Sequence, residues 1–147
     1  DDTSSADVVK HALKEMPGFD NFVLLQPTSP ARHSEDIDCA INLAAKSEHN
    51  SCVSVTQSPH NTSWPCTLDQ ELKLKKVPSD RASQKLRGCS KIVYINGAIY
   101  CSSVGYFLET MEFIGLNTLG YEMPVSRSID IDTIDDFRKF ENYVRNK

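Results

Sequence analysis

Little in this chain is set up for the commoner chemistries. Its 147 residues hold six glycines, and none lies in a glycine-rich phosphate loop. No G-x-S-x-G turn is present, which removes the usual framework for a nucleophilic serine. No apolar run is long enough to span a membrane, and no signal or transit peptide is visible. The formal net charge is −4, so the basic stripe of a nucleic-acid binder is missing. A few local arginines and lysines still leave room for a small anionic ligand. The cysteines are Cys39, Cys52, Cys66, Cys89 and Cys101, an odd number with no C-x-x-C spacing. That argues against both a disulfide framework and a zinc site, and points to the reducing cytoplasm. Cys39 and Cys52 fall on apolar patterns and read as small core residues. In that setting the glycosylation pattern Asn61-Thr62-Ser63 is chance. His11, His33, His49 and His60 show no metal-ligand spacing.

What is present describes one domain over 1–147, 39% hydrophobic and 24% charged, able to bury a core without staples. Val8, Val9, Ala12, Leu13 and Met16 recur at helical spacing over 4–16, with Ser4 or Ser5 as cap and Pro17-Gly18 as stop. Phe22 to Leu25 reads as a buried strand of a parallel sheet, ended by Pro27 and Pro30. Ser34 caps a second helix whose buried face is Ile37, Ala40, Ile41 and Ala44. Cys52 to Thr56 is a further strand. This alternation predicts an α/β layered fold with a mostly parallel sheet.

Residues 57–90 break the rhythm with Pro59, Pro65 and Pro78, and Asp69-Gln70-Glu71 suggests a hairpin tip. So long a stretch without a helix reads as a functional or interface excursion, with a disordered insert as the alternative. Around Asn96-Gly97 the pattern allows a tight hairpin or one strand kinked at Gly97. Tyr106 to Glu112 reads as a short helix. A last helix starts near Thr133, with Asp136 completing a capping box and Ile134, Phe137, Phe140 and Val144 as its apolar face.

Three segments carry chemistry. The loop Gln26-Pro27-Thr28-Ser29-Pro30-Ala31-Arg32 follows a strand, where open α/β sheets bind ligands. Its amide, hydroxyls and guanidinium suit a polyhydroxylated anion; equally, Thr28 and Ser29 can bond only to their own backbone. In Ser128-Ile129-Asp130-Ile131-Asp132-Thr133, the two carboxylates sit two apart and share a face if the chain is extended. Such a pair suits magnesium on a phosphate; otherwise Asp132 is a cap and Asp130 is solvated. Asn96-Gly97-Ala98-Ile99-Tyr100 offers a close approach beside an amide and a phenol, or an ordinary turn.

Taken together, Leu24-Leu25-Gln26-Pro27-Thr28-Ser29-Pro30, Glu35-Asp36-Ile37, Asn96-Gly97-Ala98-Ile99-Tyr100 and Ser128-Ile129-Asp130-Ile131-Asp132-Thr133 resemble the acylneuraminate cytidylyltransferase (CMP-sialic acid synthetase) family in order and spacing. The resemblance implies a Rossmann-like nucleotide-diphospho-sugar transferase fold and transfer of CMP from CTP to an acidic nine-carbon sugar. It implies magnesium, or another divalent cation, on Asp130 and Asp132. Gln26, Thr28, Ser29, Arg32, Asn96, Tyr100 and Phe113 would then line the substrate site. Residues 57–90 would be a dimerisation excursion in a homodimer. A family stretch that supplies an arginine before the Asn-Gly motif is matched only loosely, by Ser83-Gln84-Lys85-Leu86 with Arg81 and Arg87 nearby, so Arg81 and Gln84 are its nearest candidates. The family's nucleotide loop has no counterpart here. An N-terminally truncated fold with an exposed sheet edge is therefore expected, with a non-catalytic remnant of that fold as the alternative to an enzyme.

Overall fold

A computed structural model of the chain describes residues 3–48, 50–57, 65–77, 91–115 and 117–146. Among them the order is α1 (Ser5–Glu15), β1 (Asn21–Leu24), α2 (Ser34–Ala44), β2 (Cys52–Thr56), β3 (Pro65–Leu68), β4 (Leu74–Lys76), β5 (Lys91–Ser103), α3 (Val104–Thr110), β6 (Leu119–Glu122) and α4 (Ile134–Arg145). The helices start where local chemistry starts them. Ser4 and Ser103 accept from backbone amides three residues on, and Thr133 and Asp136 form the expected capping box. His33, not Ser34, is the cap of α2.

The α/β class is as predicted, but the sheet is mixed rather than mostly parallel. β2 and β6 run parallel. β5 is antiparallel to β1, β2 and β3, and β3 is antiparallel to β4. A short buried strand carries the same apolar run whichever way it points, so direction was not in the pattern.

β5 is the spine of the sheet. One of its edges pairs with β2 from Tyr94 to Cys101. Along the other edge, β3 covers Lys91 to Tyr94 and β1 covers Tyr100 to Ser103. Between them, over 95–99, that edge has no partner strand among the described residues, and the sheet is notched. Asn96-Gly97 falls in this notch as a kink within one strand, the second of the two sequence alternatives. Gly97 has φ +76°, a left-handed conformation open to glycine.

The core lies on both faces of β2, whose side chains alternate. Cys52 packs with Ala40, Ala44, Ile99, Cys101 and Met123 under α2. Val53 and Val55 pack with Cys66, Leu68, Leu74, Val93 and Ile114. Residues 65–77, part of the expected excursion, form a β3–β4 hairpin that extends this sheet and feeds its core. The remainder of that stretch, 58–64 and 78–90, lies outside the described residues, and with it Arg81, Gln84, Cys89 and Asn61-Thr62-Ser63.

Four expectations of burial change. Ile41, expected on the buried face of α2, is 44% exposed. β1 alternates between exposed and half-buried, because β5 is its one partner among the described strands. Its open edge and the apolar face of α1 flank a groove of about 240 Å³ lined by Val8, Ala12, Met16, Phe19 and Val23. Cys39 is exposed, since it lies on the outer side of α2, while Ala40 and Ala44 face the sheet. On α4 none of the described residues is buried, and Ile134 is 66% exposed. That helix stands on its caps, on the pairs Arg138–Asp135 and Lys139–Asp136, and on half-buried Tyr143, whose hydroxyl lies 3.1 Å from His33 Nε2 at the cap of α2.

Candidate active site

The notch is where the three sequence segments meet. A Cβ built on Gly97 would lie 2.7 Å from Gln26 Oε1, 3.4 Å from Ser29 Oγ and 3.7 Å from Asp130 Oδ2. One small space on β5 is thus ringed by an amide oxygen and a hydroxyl from the 26–29 turn and a carboxylate from the acidic segment.

Each segment is held by identifiable bonds. The 26–29 turn closes through the Ser29 amide donating to the Gln26 carbonyl. Arg32 Nη1 donates to the carbonyls of Gln26 and Ser29, so this guanidinium braces the loop from inside. Burial lowers the Arg32 pKa. Ser29 is buried and its hydroxyl lies 3.4 Å from both the Asn96 carbonyl and Asp130 Oδ1. The Thr28 carbonyl accepts from the Ile131 amide at 2.8 Å, tying loop to acidic segment. The Thr28 side chain is exposed and borders a groove with Ser5, Val8, Leu24 and Gln26.

The kink in β5 is stabilised by side chains that replace ladder bonds. Between Val53 and Val55 the β2–β5 register shifts, so β5 carries extra residues there. Ser54, fully buried opposite this bulge, accepts from the Ile99 amide at 2.8 Å. Its oxygen lies 2.6 Å from Asn96 Oδ1 and 3.2 Å from the Ile99 carbonyl, the two acceptors within reach of its proton. Asn96 Oδ1 also accepts from the Ala98 amide, while its Nδ2 donates to Ser128 Oγ at 2.9 Å and reaches Met123 Sδ at 3.3 Å. The Asn96 amide is therefore fully engaged within the protein, and it links the kink to the acidic segment.

Tyr100 is half-buried on the same strand. Burial, with the Asp130 carboxylate nearby, pushes its phenol up to about 12. Its ring centroid is 5.1 Å from that of Phe113. The two line a cavity of about 360 Å³ with Ile95, Met111 and Lys76. Asp132 is exposed, two residues beyond half-buried Asp130.

Sequence reasoning missed Ser54, whose signal was a hydroxyl between the two valines of Cys52-Val53-Ser54-Val55-Thr56. It also missed that Asp36 pairs with Arg127. Asp36 is fully buried, and Arg127 meets it with Nη2 at 2.7 Å and Nε at 2.9 Å. Burial pushes the Asp36 carboxyl up. Arg127, the His33 amide and the Tyr121 hydroxyl more than offset this and hold it below its ordinary value.

The donor set bears on which cation fits. Among the described residues no group of three or more His, Cys, Asp or Glu side chains is placed to hold a metal. Asp130, beside an amide oxygen and a hydroxyl, and exposed Asp132, two residues on, offer hard oxygen donors. They fit magnesium, which takes one or two carboxylates and completes its shell with water and phosphate.

No protein-family model matches the chain. Over 138 residues, 93% of the chain, it is 36% identical to the N-acylneuraminate cytidylyltransferase of Escherichia coli O18:K1:H7 (strain RS218 / NMEC), and this covers 33% of that protein. The N-acylneuraminate cytidylyltransferase of Streptococcus agalactiae serotype V is 31% identical over 138 residues, again 33% of its length. The CMP-N,N'-diacetyllegionaminic acid synthase of Legionella pneumophila is 32% identical over 127 residues, 86% of this chain and 54% of that protein. The chain spans about a third of the length of the first two relatives and about half of the third. By sequence, the chain is similar over 93% of its length to N-acylneuraminate cytidylyltransferases, of which it spans a third.

Proposed function

We propose that this chain carries the acidic-sugar and metal side of a cytidylyl-transfer site. In that reaction a sugar hydroxyl oxygen bonds to the α-phosphorus of CTP, the bond to pyrophosphate breaks, and the hydroxyl proton leaves. The observation that carries the proposal is the convergence of Gln26, Ser29 and Asp130 on Gly97 in the sheet notch. Magnesium, or another divalent cation, on Asp130 and Asp132 would offset charge developing on the phosphate oxygens. Gln26 orients a sugar hydroxyl from the loop. Tyr100 keeps its proton at neutral pH, because its pKa stands at about 12, and so serves as a hydrogen-bond donor. Phe113 offers an apolar wall beside it. Asn96 acts from behind, holding Gly97 and Ser128 in place, and Arg32 holds the loop.

The working unit proposed is a cytoplasmic homodimer. β4 lies at one end of the strand order; Leu74 at its start is bonded to the Thr118 carbonyl, but among the described residues no strand pairs with the rest of its outer edge, which supports residues 57–90 as the contact. Among the described residues no helix is long and apolar enough to cross a membrane. One observation favours a second function, a sugar-acid-binding or self-associating domain without turnover: the open edge of β1 beside the apolar groove under α1, among the described residues. The chain is incubated with CTP, Mg²⁺ and an N-acylneuraminate, and pyrophosphate release and sugar binding are followed. Sugar-dependent release that disappears in Asp132→Asn supports transfer. Binding without release supports the second function, and neither binding nor release rejects both.

A further inference from the structure

Resting on the metal assignment proposed above, we infer that the buried Asp36–Arg127 pair, completed by Tyr121, positions Asp130 and Asp132 without itself touching ligand. Asp36 sits in the first turn of α2, remote in sequence from the acidic segment. Its two oxygens take four donors: Arg127 Nη2 at 2.7 Å and the Tyr121 hydroxyl at 3.0 Å on Oδ1, and Arg127 Nε and the His33 amide, each at 2.9 Å, on Oδ2. That saturates the carboxylate. A two-pronged guanidinium contact fixes angle as well as distance, which a lysine would not do.

The placement of Arg127 gives the pair its role. Arg127 ends the single 3-10 turn Val125–Arg127, and no other regular element is found from there to α4. The path of this segment is therefore set by individual pins. The Met123 amide donates to the Val55 carbonyl before the turn, Asn96 holds buried Ser128, and the Ile131 amide reaches the Thr28 carbonyl. Arg127 adds a pin to α2 one residue before Ser128, three before Asp130 and five before Asp132. Buried ion pairs contribute little net stability compared with apolar residues of similar size. What this pair contributes instead is a fixed origin for an irregular segment whose carboxylates need placement to within a fraction of an ångström.

The test uses the whole chain, with Mn²⁺ alone as the probe and its affinity read by electron paramagnetic resonance. Wild type should bind Mn²⁺ and Asp132→Asn should lose it. Asp36→Asn and Arg127→Met should weaken Mn²⁺ about tenfold, the lower end of what outer partners of metal ligands cost. Arg127→Lys should recover part of that loss. The amide NMR signals of Val53 and Ile99 should stay in place, showing an intact core. Arg127→Met strands a buried carboxylate, so if it does not fold, the near-isosteric Asp36→Asn decides. A folded Asp36→Asn with wild-type Mn²⁺ affinity overturns the positioning role and leaves the metal assignment standing. Failure of wild type to bind Mn²⁺ overturns the metal assignment, and the positioning role with it.

Discussion

Alanine at Gly97 perturbs the site at the point where its three segments meet. The backbone there has φ +76°, and an L-residue held in the left-handed region costs about 1–2 kcal/mol. The new Cβ would lie 2.7 Å from Gln26 Oε1, closer than real Cβ atoms approach. Ser29 Oγ, at 3.4 Å, and Asp130 Oδ2, at 3.7 Å, are ordinary contacts and can stay. Gln26 therefore has to move. Its amide is the far end of a flexible side chain, so displacement adds roughly 0.5–1 kcal/mol if it is forced off its rotamer. The total is about 1.5–3 kcal/mol, equivalent to a fall in Tm of roughly 5–10 °C at this size. Urea denaturation followed by circular dichroism measures it. Repeating Gly97→Ala in a Gln26→Ala background separates the two parts, because the shorter side chain removes the contact and leaves the backbone cost. The loss should shrink by about 0.5–1 kcal/mol there. A Gly97→Ala chain as stable as wild type would refute the left-handed kink, and an equal loss in both backgrounds would refute the Gln26 contact.

Other outcomes follow from the same bonds. The Asp36 carboxyl is held below its ordinary value of 3.8. Its contribution is thus complete above that value and disappears as pH falls through the lower, folded-state pKa. The stability advantage of wild type over Asp36→Asn should hold constant from neutral pH down to about 5 and close below about 4; an advantage independent of pH would contradict the charge pairing. Asn96→Ala removes a four-bonded strut and strands the Ala98 amide, so urea denaturation should show a loss of about 2–4 kcal/mol. A loss under about 0.5 kcal/mol, the range of ordinary surface changes, would contradict the network. Cys39 is exposed, whereas burial pushes the thiols of Cys66 and Cys101 up to about 11 and that of Cys52 higher still. A thiol reagent should label Cys39 well before these three, which should react on unfolding. Equal labelling rates would place the core elsewhere.

Much of the fold was legible where the signal is local. Thr133 and Asp136 announced α4, and Cys52 to Thr56 announced β2, because caps and short apolar runs act over a few residues. Strand direction was not legible, since Phe22-Val23-Leu24 reads alike parallel or antiparallel. The burial of α4 failed for a related reason: an apolar stripe shows that a helix can be covered, not that a described element covers it. At the site, Gln26, Ser29, Gly97 and Asp130 were visible from residue type and order. The inward turn of Asn96 was not, because side-chain direction depends on a bulge opposite Ser54 in another strand. The Asp36–Arg127 pair joins residues 91 apart, and no spacing in a single sequence marks a charge pair at that range.

The most direct test is whether one ligand engages all three segments at once. An N-acylneuraminate, with and without Mg²⁺, is titrated into the ¹⁵N-labelled chain and followed by amide NMR. The account predicts that the amides of Gln26, Gly97, Tyr100 and Ile131 shift together along one saturation curve, and that the shifts diminish in Asp132→Asn when Mg²⁺ is present. Shifts confined to a single segment, or a sugar that leaves all four amides unmoved, would contradict a shared site in the sheet notch.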